Sequence, residues 1–245
     1  VDTVTSTPGG ITKTVTGTST TMTGLTNGTL YTFAVTATNA VGTGAAGTSN
    51  AARPTWVTAI TESATAKVTS GGTATVKGKL YQTANSAGVA GKSVRIYAKI
   101  APATTYTLLR TVTTTSTGAY ATTFTVKKNT RFQARFLGAS GFDASSSAIR
   151  TTLAAYKVTS TWSVSGRTVT VTGGVAPSAA GHTINLYYRK ADGSVHVLAT
   201  ATISGSSTYR LTRTLGPGTY ALAVHIGSTS TNVATTTPYR NVKIT

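Results

Sequence analysis

Short stretches in which apolar and polar residues alternate, cut apart by Gly, Asn, Ser and Pro, run the length of this 245-residue chain. A period of two is that of a half-buried strand, and strands this short and this often interrupted build sandwiches or barrels. Tyr31-Thr32-Phe33-Ala34-Val35-Thr36-Ala37-Thr38 is a clear instance. Its odd positions are expected to face a core, and Asn27-Gly28, the stretch 39–42 and Pro54 punctuate it as turn or linker signals. The 57 Thr residues point the same way. Thr and Val hold χ1 stiffly, which lowers helix propensity and suits a pleated surface. The chain is therefore expected to be all-β with almost no helix.

Charge is scarce and one-sided. There are 22 Lys and Arg against four acids, Asp2, Glu62, Asp143 and Asp192, for a net charge of +18. Such a surface attracts polyanions in a salt-dependent way. Nucleic acid, anionic wall polymers, membrane headgroups and an acidic protein all answer to that description. The absence of Cys removes disulfide frameworks, thiolate zinc sites and cysteine nucleophiles together. No run of about 18 apolar residues is present to span a bilayer. With Val at the first position, the chain is expected to be a processed or excerpted product of a longer precursor.

Residues 24–35, with Leu25, the Asn27-Gly28 turn and Tyr31, followed by Ala37-Thr38-Asn39-Ala40-Val41-Gly42, resemble the last strands of a fibronectin type III domain. The resemblance implies that Leu25 and Tyr31 form a tyrosine corner, in which a buried phenol ties down a backbone group. It covers only residues 1–54, where a whole module needs about 90 to 100. A half sandwich leaves an apolar face and open edges. Either the remaining strands belong to a longer parent, or another chain supplies them by strand addition.

From Thr55 onward the sequence repeats with a period near 90 residues. Val76-Lys77-Gly78 answers to Val171-Thr172-Gly173, and Gly91 to Tyr97 answers to Gly181 to Tyr187. Gly118-Ala119-Tyr120 answers to Ser207-Thr208-Tyr209, and residues 131–136 to 219–224. Both copies resemble the bacterial immunoglobulin-like or prealbumin-like modules carried in tandem on secreted proteins of high-GC Gram-positive bacteria. The expected architecture is all-β: tandem antiparallel immunoglobulin-like β-sandwiches with the first module incomplete. The expected boundaries are 1–54, 55–154 and 155–245, joined by short linkers that limit bending.

The inventory for catalysis is thin. His182, His196 and His225 show no ligand spacing, and the four acids form no pair or calcium-binding cluster, so no catalytic residue, cofactor or metal site is assigned. Asp192-Gly193 reads as a hairpin turn. Trp56 and Trp162 are expected at junctions between modules. Tyr97, Tyr120, Phe132, Phe136, Tyr187, Tyr209 and Tyr220 occupy apolar phases and are expected in cores. The polyanion-binding candidates are Lys77, Lys79, Arg95, Arg131 and Arg135, which fall on polar phases of strands and are expected to contribute to a stripe on one sheet face.

These readings converge on a non-catalytic, secreted or cell-surface array that spaces or anchors a partner domain at the envelope through a basic surface. The expected partners are anionic cell-wall polymers or polysaccharide, and a protein partner or upstream domain of the same precursor. Homo-oligomers stay open, while a membrane span is not expected. Sequence-specific nucleic-acid binding is not expected either, because no recognition helix or stacking motif is present. Two other classes remain: a structural subunit of an appendage or virion, and the accessory binding region of a secreted hydrolase.

Overall fold

A computed structural model describes residues 1–245, and every regular element in it is a strand. The first 54 residues carry β1 (Asp2–Thr7), β2 (Thr12–Val15), β3 (Thr32–Asn39), β4 (Gly42–Thr43) and β5 (Gly47–Thr48). They form one sheet in the order β2-β1-β3-β4, with β5 also on β3. Register puts Thr3 between Thr14 and Thr36, and Thr5 beside Thr12, so one face of this sheet is built largely of Thr. The other face presents Val4, paired with Val35, and Ser6, paired with Phe33. No second sheet covers that face, and only Ser6, Val15 and Tyr31 are buried in the whole segment.

The next module contains β6 (Thr58–Ile60), β7 (Ser63–Ala64), β8 (Lys67–Thr69), β9 (Gly72–Gln82) and β10 (Ser93–Ile100). It continues with β11 (Thr107–Thr113), β12 (Ala119–Val126), β13 (Thr130–Phe136), β14 (Ser145–Ser146) and β15 (Arg150–Ala155). One sheet runs β12-β9-β6 with β7 on β9, and the other runs β11-β10-β13-β15-β8 with β14 on β13. Between them lie Leu80, Val94, Ile96, Phe132 and Ala134, all fully buried. Burying a side chain of Ile or Phe size stabilises by about 1.5–3 kcal/mol, and the alternation along β9, β10 and β13 supplies these residues.

The last module repeats the plan with β16 (Lys157–Val158), β17 (Thr161–Ser165), β18 (Thr168–Ala176), β19 (Thr183–Arg189) and β20 (Val195–Thr202). Then come β21 (Thr208–Thr214), β22 (Gly218–Ile226), β23 (Thr235–Thr236) and β24 (Arg240–Ile244). Strands β16, β17 and β21 all pair with β18, and the facing sheet is β20-β19-β22 with β23 and β24 on β22. Its core draws only on residues 156–244, while the core of the second module draws only on 60–154.

Both complete modules share an internal lock. Tyr120 lies opposite Gly78 across β12 and β9, and its hydroxyl donates to the Thr61 carbonyl at 2.5 Å. Tyr209 lies opposite Gly173, and its hydroxyl donates to the Thr159 carbonyl at 2.8 Å. The chain before the lock passes so close that a Cβ at Gly78 or Gly173 would overlap the Thr61 or Thr159 oxygen. The glycine is thus the space that lets the edge segment reach its tyrosine.

The two copies match in register throughout the β10–β13 and β19–β22 pairs. Arg95 pairs with Arg135 and Asn185 with His225, so residues 131–136 correspond to 221–226, two residues on from the correspondence expected from sequence. A slip of two leaves every side chain on its original face, which is why the pattern alone does not reveal it.

The modules also grip one another. At the first junction, Trp56 N–H donates to Gly141 O and Asp143 N–H to Trp56 O, a parallel bridge between linker and loop. Arg53 Nη1 donates to Gly28 O at 2.5 Å and to Ser140 Oγ at 3.0 Å. At the second, Val233 N–H donates to Ala154 O, and the fully buried Asn232 sends Nδ2 to Lys127 O at 2.9 Å and Ala154 O at 3.1 Å. In the parallel bridge of the second junction the place of Trp56 is taken by Ala155, beside Val233, not by Trp162. Trp162 sits on β17 against the third module's own core.

Gly173→Ala should destabilise the third module by about 2–3 kcal/mol, the cost of forcing atoms into a filled space. Gly227→Ala, where the new methyl meets nothing, should leave the urea midpoint unchanged. Tyr209→Phe should fall between them, at about 1 kcal/mol for one lost hydrogen bond.

Candidate polyanion-binding face

The five candidate cations do not share a face. Lys77 and Lys79 lie on β9, opposite Ala121 and Ala119 of β12, whereas Arg95, Arg131 and Arg135 lie on β10 and β13 in the other sheet. The alternation of polar residues reports the side of a strand a residue takes, and the partner sheet decides where that side points. Lys79 is engaged locally, donating to Ser86 O at 3.1 Å.

The β10–β13 face is the concentrated one. Inward Val94, Ile96 and Ala98 turn Arg95, Tyr97 and Lys99 outward. Inward Phe132, Ala134 and Phe136 do the same for Arg131, Gln133 and Arg135. Register then sets Arg95 opposite Arg135, Tyr97 opposite Gln133, and Lys99 opposite Arg131. Two like-charged pairs stand side by side about 13 Å apart along the strands, an arrangement that costs stability in an isolated sheet. None of the four acids lies on β10, β11, β13 or β15 to offset them.

Aromatic rings and an amide hold two of these cations, Arg135 and Lys99, in place. Arg135 lies 4.5 Å from the Tyr97 ring centroid, and its Nε and Nη2 donate to Gln133 Oε1 at 2.9 and 2.7 Å. Lys99 Nζ lies 5.4 Å from the centroid of Tyr106. Tyr97 is therefore a half-buried outer residue rather than a core one, and Tyr187 takes the same place in the third module. A tyrosine body is apolar enough to mimic an inward phase, which is why both read as core residues in the sequence. Lys99, which is not among the five candidates, stands four residues after Arg95 on an alternating strand and so shares its phase.

The third module carries the same frame with one cation in place of four. Asn185, Arg189, Ala221 and His225 stand where the second has Arg95, Lys99, Arg131 and Arg135. His225 stacks on Tyr187 at 4.6 Å, as Arg135 does on Tyr97, and burial pushes its pKa below the usual imidazole value. His182 and His225 line one cleft of about 290 Å³, while His196 lies on β20, within 3.3 Å of Ser194 Oγ. No three His, Cys, Asp or Glu side chains gather anywhere in the chain.

The remaining expected sites are plain in geometry. Thr26 N–H donates to the Tyr31 hydroxyl oxygen at 3.0 Å, one residue after Leu25, which lines the open apolar face. Asp192 accepts from Ser194 N–H at 2.8 Å and from Ser194 Oγ at 2.6 Å in the turn it shares with Gly193, and these bonds hold its carboxyl below the ordinary range. Asp143 accepts from Thr55 at the first junction.

Glu62 is the exception among the acids. It is buried at the edge of the second core, Oε2 accepts from Ser147 Oγ at 3.2 Å, and Oε1 has no partner. The adjacent Arg150 donates Nε to the Glu62 backbone carbonyl instead of the carboxylate. Burial outweighs the Ser147 bond and pushes its pKa up to about 7.

No family model matches this chain, and no curated protein matches it. Among solved structures it is similar to a tetra-tandem repeat from the extending region of a large adhesion protein, at 19% identity and a TM-score of 0.45. That match covers 100% of this chain, which spans 66% of the other. It is also similar to the chicken interferon gamma receptor alpha chain, at 9% identity and a TM-score of 0.43, covering 75% of this chain and 96% of that one. Neither overlap is close enough to carry a statement about function. The chain's own strands and registers define its class: a tandem array of all-β, immunoglobulin-like modules, the first a single sheet. No helix is present that is long and apolar enough to cross a membrane.

Glu62 sets the pH response of the second module. Its folded pKa lies above the unfolded value, so the folded state keeps a proton that the unfolded chain releases, and stability falls as pH rises from about 4.5 through about 7. Urea unfolding across that window should show the decline in the parent chain and a flat profile in Glu62→Gln. An equal decline in both would show that another group controls it.

Proposed function

We propose that this chain is a non-catalytic module array of the cell exterior, which spaces or anchors a partner domain at the envelope by adsorbing to an anionic polymer. The β10–β13 face of the second module makes the contact. One observation carries this reading: Arg95 stands opposite Arg135 and Lys99 opposite Arg131, with no carboxylate on their strands. Directly opposed like charges are unfavourable in a sheet, and local rules of this kind are broken where a site needs them. A general need for positive charge would favour spreading it over both complete modules, yet of these four positions the third keeps a fixed cation only at Arg189 and has neither like-charged pair.

Two pairs of cations on one rigid face engage a repeating polyanion at two points, so weak single contacts add into useful attachment. The rings of Tyr97 and Tyr106 restrict Arg135 and Lys99, reducing the ordering cost on binding. The junctions hold the third module against the second, which suits a spacer. The partner is an anionic wall polymer or acidic polysaccharide, and a protein domain of the same precursor is the cargo.

Co-sedimentation of the full chain with Gram-positive cell walls, with and without their anionic polymers, tests the proposal. Binding should be lost on polymer removal and should weaken steeply with salt. Replacing Arg95 and Arg135 by Gln should weaken it by about tenfold or more, as two charge-assisted contacts would. Replacing Lys77 and Lys79 by Gln should change it little. Equal effects of the two double variants would mean that net charge alone is responsible.

A further inference from the structure

A cleft of about 420 Å³ lies where the lower charge pair meets the third module. Its walls include Lys99, Arg131 and Thr151 of the cationic face, Asn129 between β12 and β13, and Ser230 from the 228–233 loop of the last module. Lys99 and Arg131 are direct cross-strand partners, and the nearest strand on the other side contributes Thr151, the partner of Arg131 on β15.

The third module's contribution is fixed in place. Asn129 N–H donates to Thr231 O at 2.7 Å, and the buried Asn232 beside it is bonded to Lys127 O and Ala154 O. Asn129 Oδ1 accepts from Ala154 N–H at 2.9 Å, so what Asn129 has left to offer a ligand is its Nδ2 donor end. The cleft thus assembles an ammonium, a guanidinium, an amide donor and two hydroxyls, with no carboxylate among its walls. That donor set suits a compact oxyanion with several acceptor oxygens, and the planar fork of an arginine matches a phosphate edge.

We propose that this junction cleft is a binding site for a phosphate group, built from both modules and present only while the 228–233 loop is docked. It rests on the adhesive reading above and sharpens it, naming a phosphate-bearing polymer rather than a carboxylate-bearing one. Free inorganic phosphate and a phosphodiester within a chain share the chemistry, and the two probes below separate them.

The test uses the full ¹⁵N-labelled chain at low salt, titrated separately with inorganic phosphate and with a short poly(glycerol phosphate) oligomer. Both should perturb the amides of Asn129, Thr151 and Ser230 in a saturable way, with the oligomer tighter because it also reaches the Arg95–Arg135 pair. Ser230→Trp, which fills the cleft from the third module while keeping every cation, should weaken both probes. Arg131→Gln, an exposed change that leaves the loop intact, should weaken both by about tenfold. Arg95→Gln should weaken only the oligomer.

Shifts spread evenly along β10 and β13 without Asn129 or Ser230, or oligomer binding untouched by both Ser230→Trp and Arg131→Gln, would overturn the cleft and leave the adhesive reading standing. Saturable phosphate binding at the cleft in a chain that ignores cell walls and oligomer alike would keep the phosphate site and overturn the adhesive reading. Tighter binding of an oligouronate than of the phosphate oligomer would overturn the choice of phosphate.

Discussion

Consecutive side chains of a strand leave on opposite faces, so burying Val94, Ile96 and Ala98 on one strand and Phe132, Ala134 and Phe136 on its neighbour commits the residues between them to solvent. The hydrophobic core of the second module and its cationic face are two sides of one alternation. Register adds the second constraint. Because the inward residues interlock in only one way, Arg95 has no choice but to meet Arg135, and Lys99 to meet Arg131. The tyrosine–glycine lock on the opposite sheet keeps that packing in place from behind, with Tyr120 reaching over Gly78 to the Thr61 carbonyl.

Much of the architecture was legible in the sequence because it depends on period and on small residues. The alternating stretches marked the strands. Gly78 and Gly173, with Tyr120 and Tyr209, marked equivalent points of two copies before their shared hydrogen bond was visible. The candidate site was legible only in part. Lys77 and Arg95 both sit on polar phases, but the phase of a strand does not reveal which of two sheets it joins, and the pairing of β9 with β12 separates them from each other. Tyr97 and Tyr187 read as core residues because a ring that packs along a sheet surface has the same apolar signature as one that packs beneath it. The junction residues Ala155 and Asn232 left no pattern, since their role depends on contacts between segments about 80 residues apart.

The comparison between modules separates scaffold from surface. Both sandwiches retain the tyrosine on the outer face with a planar nitrogenous side chain over it, Arg135 on Tyr97 in one and His225 on Tyr187 in the other. Packing requires that position to be flat and space-filling, and it leaves the charge free to vary. Four positions on the frame change from Arg, Lys, Arg and Arg to Asn, Arg, Ala and His while the cores beneath remain aliphatic and aromatic. A duplicated sandwich can in this way keep its fold and reassign one sheet face.

The junctions have a further consequence when the chain is pulled from its ends. At both, the linker runs parallel to a loop of the following module, Trp56 beside Phe142 and Ala155 beside Val233, with hydrogen bonds lying across the direction of the chain. Tension along the backbone therefore loads those bonds in shear, several at once, instead of opening them one by one like a zip. Arg53, holding Gly28 and Ser140 together, adds a side-chain strut to the first of them. With the load shared in this way, neighbouring modules part only when several of those bonds break together.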